Sequence, residues 1–181
     1  VTSMVHSLVG DVGVRLLHSS DAEAQAAAYR RNREHLAPWE PVRPEEFFTA
    51  AGQRREIESR LAQYDSGLSV PWVLVDGEGQ IVGNITLSRI FRGPLLSAHL
   101  GYWVDREVNG RGIASAAVAF ALASARDSYG LHRVQAGTLV HNAASQKVLA
   151  RAGFQKIGHA ASYLKIAGRW QDHILFQRIL D

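Results

Sequence analysis

Apolar positions along this chain fall into short alternating runs, divided by turn residues and by a few stretches of helical spacing. Val12–Leu17 reads as a first strand. Asp21 is expected to cap a helix running to about Leu36, carrying Ala24, Ala27, Ala28 and Tyr29. The run Pro38-Trp39-Glu40-Pro41-Val42-Arg43-Pro44 ends it, because proline fixes φ and removes a donor. A second helix, Glu45–Tyr64, sets Phe47, Ile57, Leu61 and Tyr64 on spaced apolar positions. These two helices precede the main sheet and could wall an acceptor pocket. Val70–Val75 is a strand, followed by the turn Asp76-Gly77-Glu78-Gly79. The next strand alternates: Ile81, Ile85 and Leu87 share one face, Asn84, Thr86 and Ser88 the other. After Arg92-Gly93-Pro94, strand Ala98–Val104 runs toward a glycine turn, and helix Ile113–Tyr129 follows. Strand Arg133–Val140 leads to a short helix, Ala143–Ala152, with Gly153 as its C-cap. Phe154–Ile157, Tyr163–Ile166 and Gln171–Ile179 complete a meander with a turn at Ala167-Gly168.

The turn Asn109-Gly110-Arg111-Gly112-Ile113-Ala114-Ser115 carries the clearest chemistry. Two glycines remove side chains that would hold a ligand off the backbone. The helix that follows presents unpaired N–H groups and the positive end of its dipole. Such a turn suits a pyrophosphate, and Arg111 adds a fixed positive charge. A Walker A loop would need Gly-Lys-Ser or Gly-Lys-Thr, which is absent. A Rossmann fingerprint would need an acidic residue about 20 positions later, and residues 129–136 offer none.

Composition narrows the class. With 181 residues, 46% hydrophobic and 20% charged, the chain fits one globular domain spanning residues 1–181. It has no cysteine, which excludes disulfides, thiolate metal sites and a cysteinyl acyl intermediate. Neither a run of about 18 apolar residues nor a signal-peptide pattern is present, so a cytoplasmic protein without membrane contact is expected. The net charge is +3, with basic residues clustered at Arg30-Arg31-Asn32-Arg33 and Arg54-Arg55. These read as solvated helix faces, with steering toward phosphate-rich partners as the alternative. No dedicated nucleic-acid module is visible. Neither His141 nor His173 has a second ligand at metal spacing, so no metal site is expected.

The order strand, Gly-x-Gly turn, helix, strand, Asn-x-x-Ser, helix, Gly-Phe resembles the GNAT superfamily of acetyl-CoA-dependent N-acetyltransferases over nearly the whole chain. Further segments narrow the resemblance to the RimJ/RimL-type protein N-acetyltransferases, RimJ more than RimL. They are Asn32-Arg33, Leu36 through Arg43, Arg92-Gly93, Leu100-Gly101-Tyr102, His132-Arg133, His141-Asn142-Ala143-Ala144-Ser145, Gly153-Phe154, Tyr163-Leu164 and Gly168 through His173. Asn109 stands where the family pattern has Gln or Arg, which alters one side-chain contact and leaves the backbone cradle intact. The resemblance implies an α/β (mixed α+β) domain with a mostly antiparallel sheet of about seven strands and helices on both faces.

It also implies site roles. The strand ending at Val104 would splay from its neighbour, and a backbone N–H near Trp103–Val104 would polarise the thioester carbonyl. The turn from Asn109 through Gly110, Arg111, Gly112, Ile113 and Ala114 to Ser115 would hold the pyrophosphate. Asn142 would reach the pantetheine, and Ser145 would protonate the departing thiolate. Either could instead serve as a helix cap. The base stays open among Glu40, in the proline-bounded loop, His99, on the strand before the turn, and Tyr163, which a core tyrosine would equally explain. Trp39 could form a lid over a peptide N-terminus.

A free α-amine, with a pKa near 8, is already partly neutral at pH 7, so a terminal amine asks little of a base. This fits a protein or peptide N-terminus as the expected acceptor, and the resemblance implies that of a ribosomal protein. A small amine (antibiotic, amino acid or polyamine) is the alternative within enzymes. A non-catalytic acyl-CoA-binding or ribosome-associated module is the alternative outside them. A homodimer stays open.

Overall fold

A computed structural model describes residues 4–181. Eight strands form one sheet in the order β1-β2-β3-β4-β5-β6-β8-β7. They are β1 (His6–Val9), β2 (Val12–Leu16), β3 (Val70–Val75), β4 (Ile81–Phe91), β5 (Ser97–Val104), β6 (Arg133–Leu139), β7 (Gln155–Ile166) and β8 (Arg169–Ile179). All neighbours are antiparallel except β5 and β6. The helices are α1 (Ala22–Arg31), α2 (Arg33–Leu36), α3 (Ala50–Asp65), α4 (Ile113–Asp127) and α5 (Ala143–Arg151). None of them is long and apolar enough to cross a membrane.

The sheet has a core on each face. Strand alternation divides β3 cleanly: Trp72 and Leu74 face one core, Val73 and Val75 the other. The first core packs Ile113, Ala117, Val118 and Ala121 of α4 and Leu149 of α5 against the sheet. Alanines on α4 let the helix lie close to the strands. The second core gathers Ala28, Tyr29, Leu36, Phe47 and Ile57 from the first three helices and the segment between them, together with Trp103.

The sheet has eight strands rather than about seven. The extra strand, β1, spans four residues, too few for a periodic signal, and is recruited by pairing with β2. Phe154–Ile157 and Tyr163–Ile166 prove to be parts of one strand, β7. Its pairing with β8 is irregular between Ala160 and Leu164, where Ser162 has φ +47° and its amide donates to Asp172 Oδ1 at 2.9 Å.

The expected helix from Asp21 to Leu36 is broken at Asn32, which is fully buried. Asn32 Nδ2 donates to Asp105 Oδ2 at 2.7 Å and to the Ala28 carbonyl at 3.0 Å. Its Oδ1 accepts from the Arg106 amide at 3.0 Å. A distant carboxylate thus fixes the break. Asp21 heads α1 without capping it through its side chain; its carboxylate accepts from Arg15 and from the His18 amide instead. The helix expected to start at Glu45 begins as a 3-10 turn over Glu45–Phe48, and α3 starts after Thr49, whose Oγ1 accepts from the Gly52 amide at 3.0 Å.

Candidate active site

The site arises where β5 and β6 separate. The two strands pair only over Ser97–His99 and Arg133–Gln135, after which β5 runs on to Val104 and β6 to Leu139 without pairing. Asp105 donates its amide to the Val82 carbonyl on the β4 side. Strand alternation therefore turns the N–H groups of Tyr102 and Val104 the other way, into the gap. These donors have no strand partner and are available to a ligand.

Two cavities meet in this gap. One, of about 230 Å³, is lined by Trp103, Val104, Asn109, Ala114 and Val148 among others. The second, of about 220 Å³, is lined by Glu40, Gly101, Thr138, Leu149 and His173 among others. Leu36, Trp39, Tyr102, Trp103, Asn142 and Ser145 line both. The result is one cleft passing between the splayed strands from the α4–α5 side toward the Glu40 loop.

At the first end lies the glycine turn. Gly110 and Gly112 have φ of +77° and +79°, a conformation that favours glycine, and nothing lies within 4 Å of where a Cβ would sit. Gly112 leads into α4, and its carbonyl accepts from the Ala116 amide. The preceding first-turn amides of α4 therefore point outward. Gly110, Arg111 and Gly112 are exposed, Ser115 is half-buried, and Ile113 sends its side chain into the core. The Arg111 guanidinium donates to the Glu107 carbonyl at 3.1 Å, and Asn109 Oδ1 accepts from the Gly110 amide at 3.0 Å. Open space before left-handed glycines, free helix amides and free strand amides fit an extended pyrophosphate-bearing ligand.

In the centre, Asn142 caps α5: its Oδ1 accepts from the Ser145 amide at 3.2 Å, leaving Nδ2 free. Gln146 fastens the start of α5 to β6 by donating to the carbonyls of Leu139 and Val140. Ser145 Oγ lies 2.9 Å from Tyr102 Oη. Burial pushes the Tyr102 phenol above its ordinary range, and the hydrogen bond with Ser145 offsets this only in part.

At the far end, Glu40 is held by the β7–β8 turn, whose Ala167 amide donates to the Glu40 carbonyl at 2.9 Å. Burial raises the Glu40 carboxyl above its ordinary range, against the lowering charges of Arg43 and Arg60. Trp39 lines both cavities and packs near His141, with ring centroids 5.5 Å apart.

Not every sequence candidate is brought here. His99 sits where β5 is paired on both sides, opposite Ser88 and Gln135, and lines neither cavity. Burial and the nearby Arg89 hold its pKa below the ordinary value. Tyr163 packs its ring 5.5 Å from that of His173 and also lines neither cavity. Ser115 instead borders a separate groove shared with Arg126, Arg151 and Arg178.

Other residues emerge only from the fold. Tyr102 was visible in the Leu100-Gly101-Tyr102 segment, but not its contact with Ser145. His173 is buried and faces the cleft, with Nδ1 3.0 Å from the Gln171 carbonyl. Asp105, immediately after β5, receives Arg31 Nε at 2.8 Å as well as Asn32. Of the two arginine clusters expected to form solvated helix faces, Arg30, Arg33, Arg54 and Arg55 are exposed, and Arg33 pairs with Glu45 at the surface; half-buried Arg31 departs from that expectation and braces Asp105 beside the glycine turn.

A mostly antiparallel sheet that opens between two parallel strands onto a glycine-rich helix start suits an extended donor such as an acyl-CoA. The chain matches the acetyltransferase (GNAT) domain family over residues 11–155, and it belongs to that family. It is an N-acetyltransferase that takes its acetyl group from acetyl-CoA. Among curated relatives, it is 35% identical to the ribosomal protein uS5-alanine N-acetyltransferase of Escherichia coli, over 90% of this chain and 84% of that protein. It is 34% identical to the probable N-acetyltransferase YjcK of Bacillus subtilis, over 88% and 89% respectively.

Among solved structures, the ribosomal-protein-S5-alanine acetyltransferase of Vibrio fischeri superposes with a TM-score of 0.93 at 39% identity, covering 98% of this chain and 97% of that one. Mycobacterium smegmatis RimJ, solved with CoA-disulfide, gives 0.90 at 31% identity, covering 97% and 85%.

Proposed function

We propose that this enzyme acetylates the N-terminal α-amine of a protein, with a ribosomal protein as the expected acceptor. The observation that carries this reading is the through-going cleft: an acyl donor can enter from the α4 side while a chain end reaches the same gap past Glu40. The relatives acting on the alanine of ribosomal protein uS5 support it.

In this reading the turn Asn109–Ala114 holds the pyrophosphate, and Asn142 Nδ2 and the free β5 amides hold the pantetheine arm. The Val104 N–H donates to the thioester oxygen as charge develops there. Glu40 attracts the ammonium form of the acceptor and takes one proton from it. The neutral amine attacks directly: a C–N bond forms and the C–S bond breaks. Ser145 Oγ donates its proton to the sulfur, and Tyr102 Oη–H donates to Ser145 Oγ. The second proton lost by nitrogen restores this chain through water, so one proton is released for each ammonium acetylated.

The test is CoA release with short peptides beginning Ala, Ser or Met, beside their N-blocked twins, lysine-bearing blocked peptides and common amine drugs. Turnover confined to free α-amines supports the proposal. Turnover of the drugs or blocked lysine peptides instead overturns it.

A further inference from the structure

A third cavity, of about 170 Å³, lies beside Glu40 between α1, α2 and the loop that follows them. Tyr29, Leu36, Ala37, Val42 and Phe48 give it apolar walls. It shares Leu36 and Glu40 with the central cleft and so adjoins it. Two arginines border it, and both lie on aromatic faces. The Arg33 guanidinium sits 4.2 Å from the Phe48 ring centre and is engaged by Glu45. The Arg43 guanidinium sits 4.6 Å from the Phe47 ring centre.

Arg43 carries the decisive detail. Its Nε is buried and has no hydrogen-bond partner among the described residues. The nearer Glu40 oxygen is 4.0 Å away, beyond hydrogen-bond reach. A buried N–H left without an acceptor is costly, and one at the wall of a cavity is satisfied when a ligand brings an oxygen. Val42, 73% exposed, forms an apolar rim toward solvent.

Resting on the N-terminal acceptor reading above, we propose that this cavity is the subsite for the acceptor residues that follow the first one. An apolar side chain of the acceptor fills it, and a main-chain carbonyl accepts from Arg43 Nε. The enzyme then selects beyond the terminal residue through shape and one hydrogen bond, without a charged side-chain partner.

The experiment compares kcat/KM for alaninamide with that for tetrapeptides Ala-X-Ala-Ala and Ala-Ala-X-Ala, where X is Gly, Ala, Leu or Asp. For the wild-type enzyme, leucine at one of the two positions is expected to exceed glycine by about tenfold, and aspartate to give no gain. Ala37→Phe, which fills the cavity, should lower the tetrapeptide-to-alaninamide ratio by about tenfold and flatten the series. Val42→Asp, at the exposed rim where folding is not at stake, should lower the same ratio. Arg43→Lys keeps the charge and removes the Nε donor, and it should raise KM for tetrapeptides more than for alaninamide. Equal losses for alaninamide and tetrapeptides, or no change in either, overturn the subsite while leaving the N-terminal reading intact. Failure of the wild-type enzyme to acetylate any free α-amine overturns both.

Discussion

The phenolic oxygen of Tyr102 and the hydroxyl of Ser145 lie 2.9 Å apart, tying β5 to the first turn of α5 across the gap between β5 and β6. In the proposed proton relay the protonated phenol of Tyr102 donates to Ser145 Oγ, and Ser145 keeps its own hydrogen for the cleft. Tyr102→Phe keeps the ring and removes the donor, so kcat should fall about tenfold with little change in KM for acetyl-CoA, while Ser145→Ala should cost about 10²-fold. The double variant should be no slower than Ser145→Ala alone, since the two groups act as one unit. Steady-state CoA release checks this; additive losses would separate the two residues.

Asp105 braces the segment that leads into the glycine turn. Its burial alone would raise its pKa, but hydrogen bonds from Asn32, the Glu107 amide and Arg31, with the Arg31 charge, outweigh that and hold it below the ordinary range. A depressed carboxyl contributes stability above its unfolded pKa, and that stability disappears as pH falls through the folded value. Asp105→Asn should therefore cost about 2 kcal/mol at pH 7, lowering Tm by roughly 4–8 °C. The gap between variant and wild type should close below about pH 3.9, the ordinary aspartate value. Thermal melts across pH check the sign, and a raised KM for acetyl-CoA would show that the turn has moved with Asp105.

These two relationships mark what the sequence could and could not tell. The glycine turn, the Asn142 cap and the C-cap at Gly153 (φ +80°) are local, and their residue types announce them. The splay of β5 from β6 was expected from the family resemblance. The Tyr102–Ser145 contact joins residues 43 apart and the Asn32–Asp105 contact residues 73 apart, distances over which periodicity carries no information. The same holds for the break between α1 and α2: Asn32 is unremarkable in a helix until Asp105 arrives beside it. For His99, strand alternation gives its face but not the point at which β6 leaves β5, so its place in the paired part of β5 was not legible.

Glu40 should govern the acidic limb of the pH profile. Burial raises its pKa, and Arg43 and Arg60 pull it down. As pH falls through that raised value, Glu40 becomes neutral and kcat/KM for the acceptor should drop, at a pH above the ordinary carboxylate value of about 4.3. Glu40→Gln should remove this ionisation and lower kcat/KM by about 10²-fold. Arg60→Gln, by removing a lowering charge, should move the limb to higher pH. A limb that stays in place in Arg60→Gln, or persists in Glu40→Gln, would assign it to another group.

Gly112 separates backbone geometry from side-chain chemistry at the donor end. Its φ of +79° places an L-residue in the left-handed region, and an added Cβ would project into open space rather than into protein. Gly112→Ala should then cost about 1–2 kcal/mol of backbone strain while leaving the two cores, neither of which includes Gly112, in place. The methyl would stand where the pyrophosphate approaches the α4 amides, so KM for acetyl-CoA should rise about tenfold or more, with kcat less affected. An acetyl-pantetheine donor, which has no pyrophosphate, provides the control: its kcat/KM should fall far less in the variant. Equal losses with both donors would mean that the turn shapes the thioester site itself rather than anchoring the phosphate.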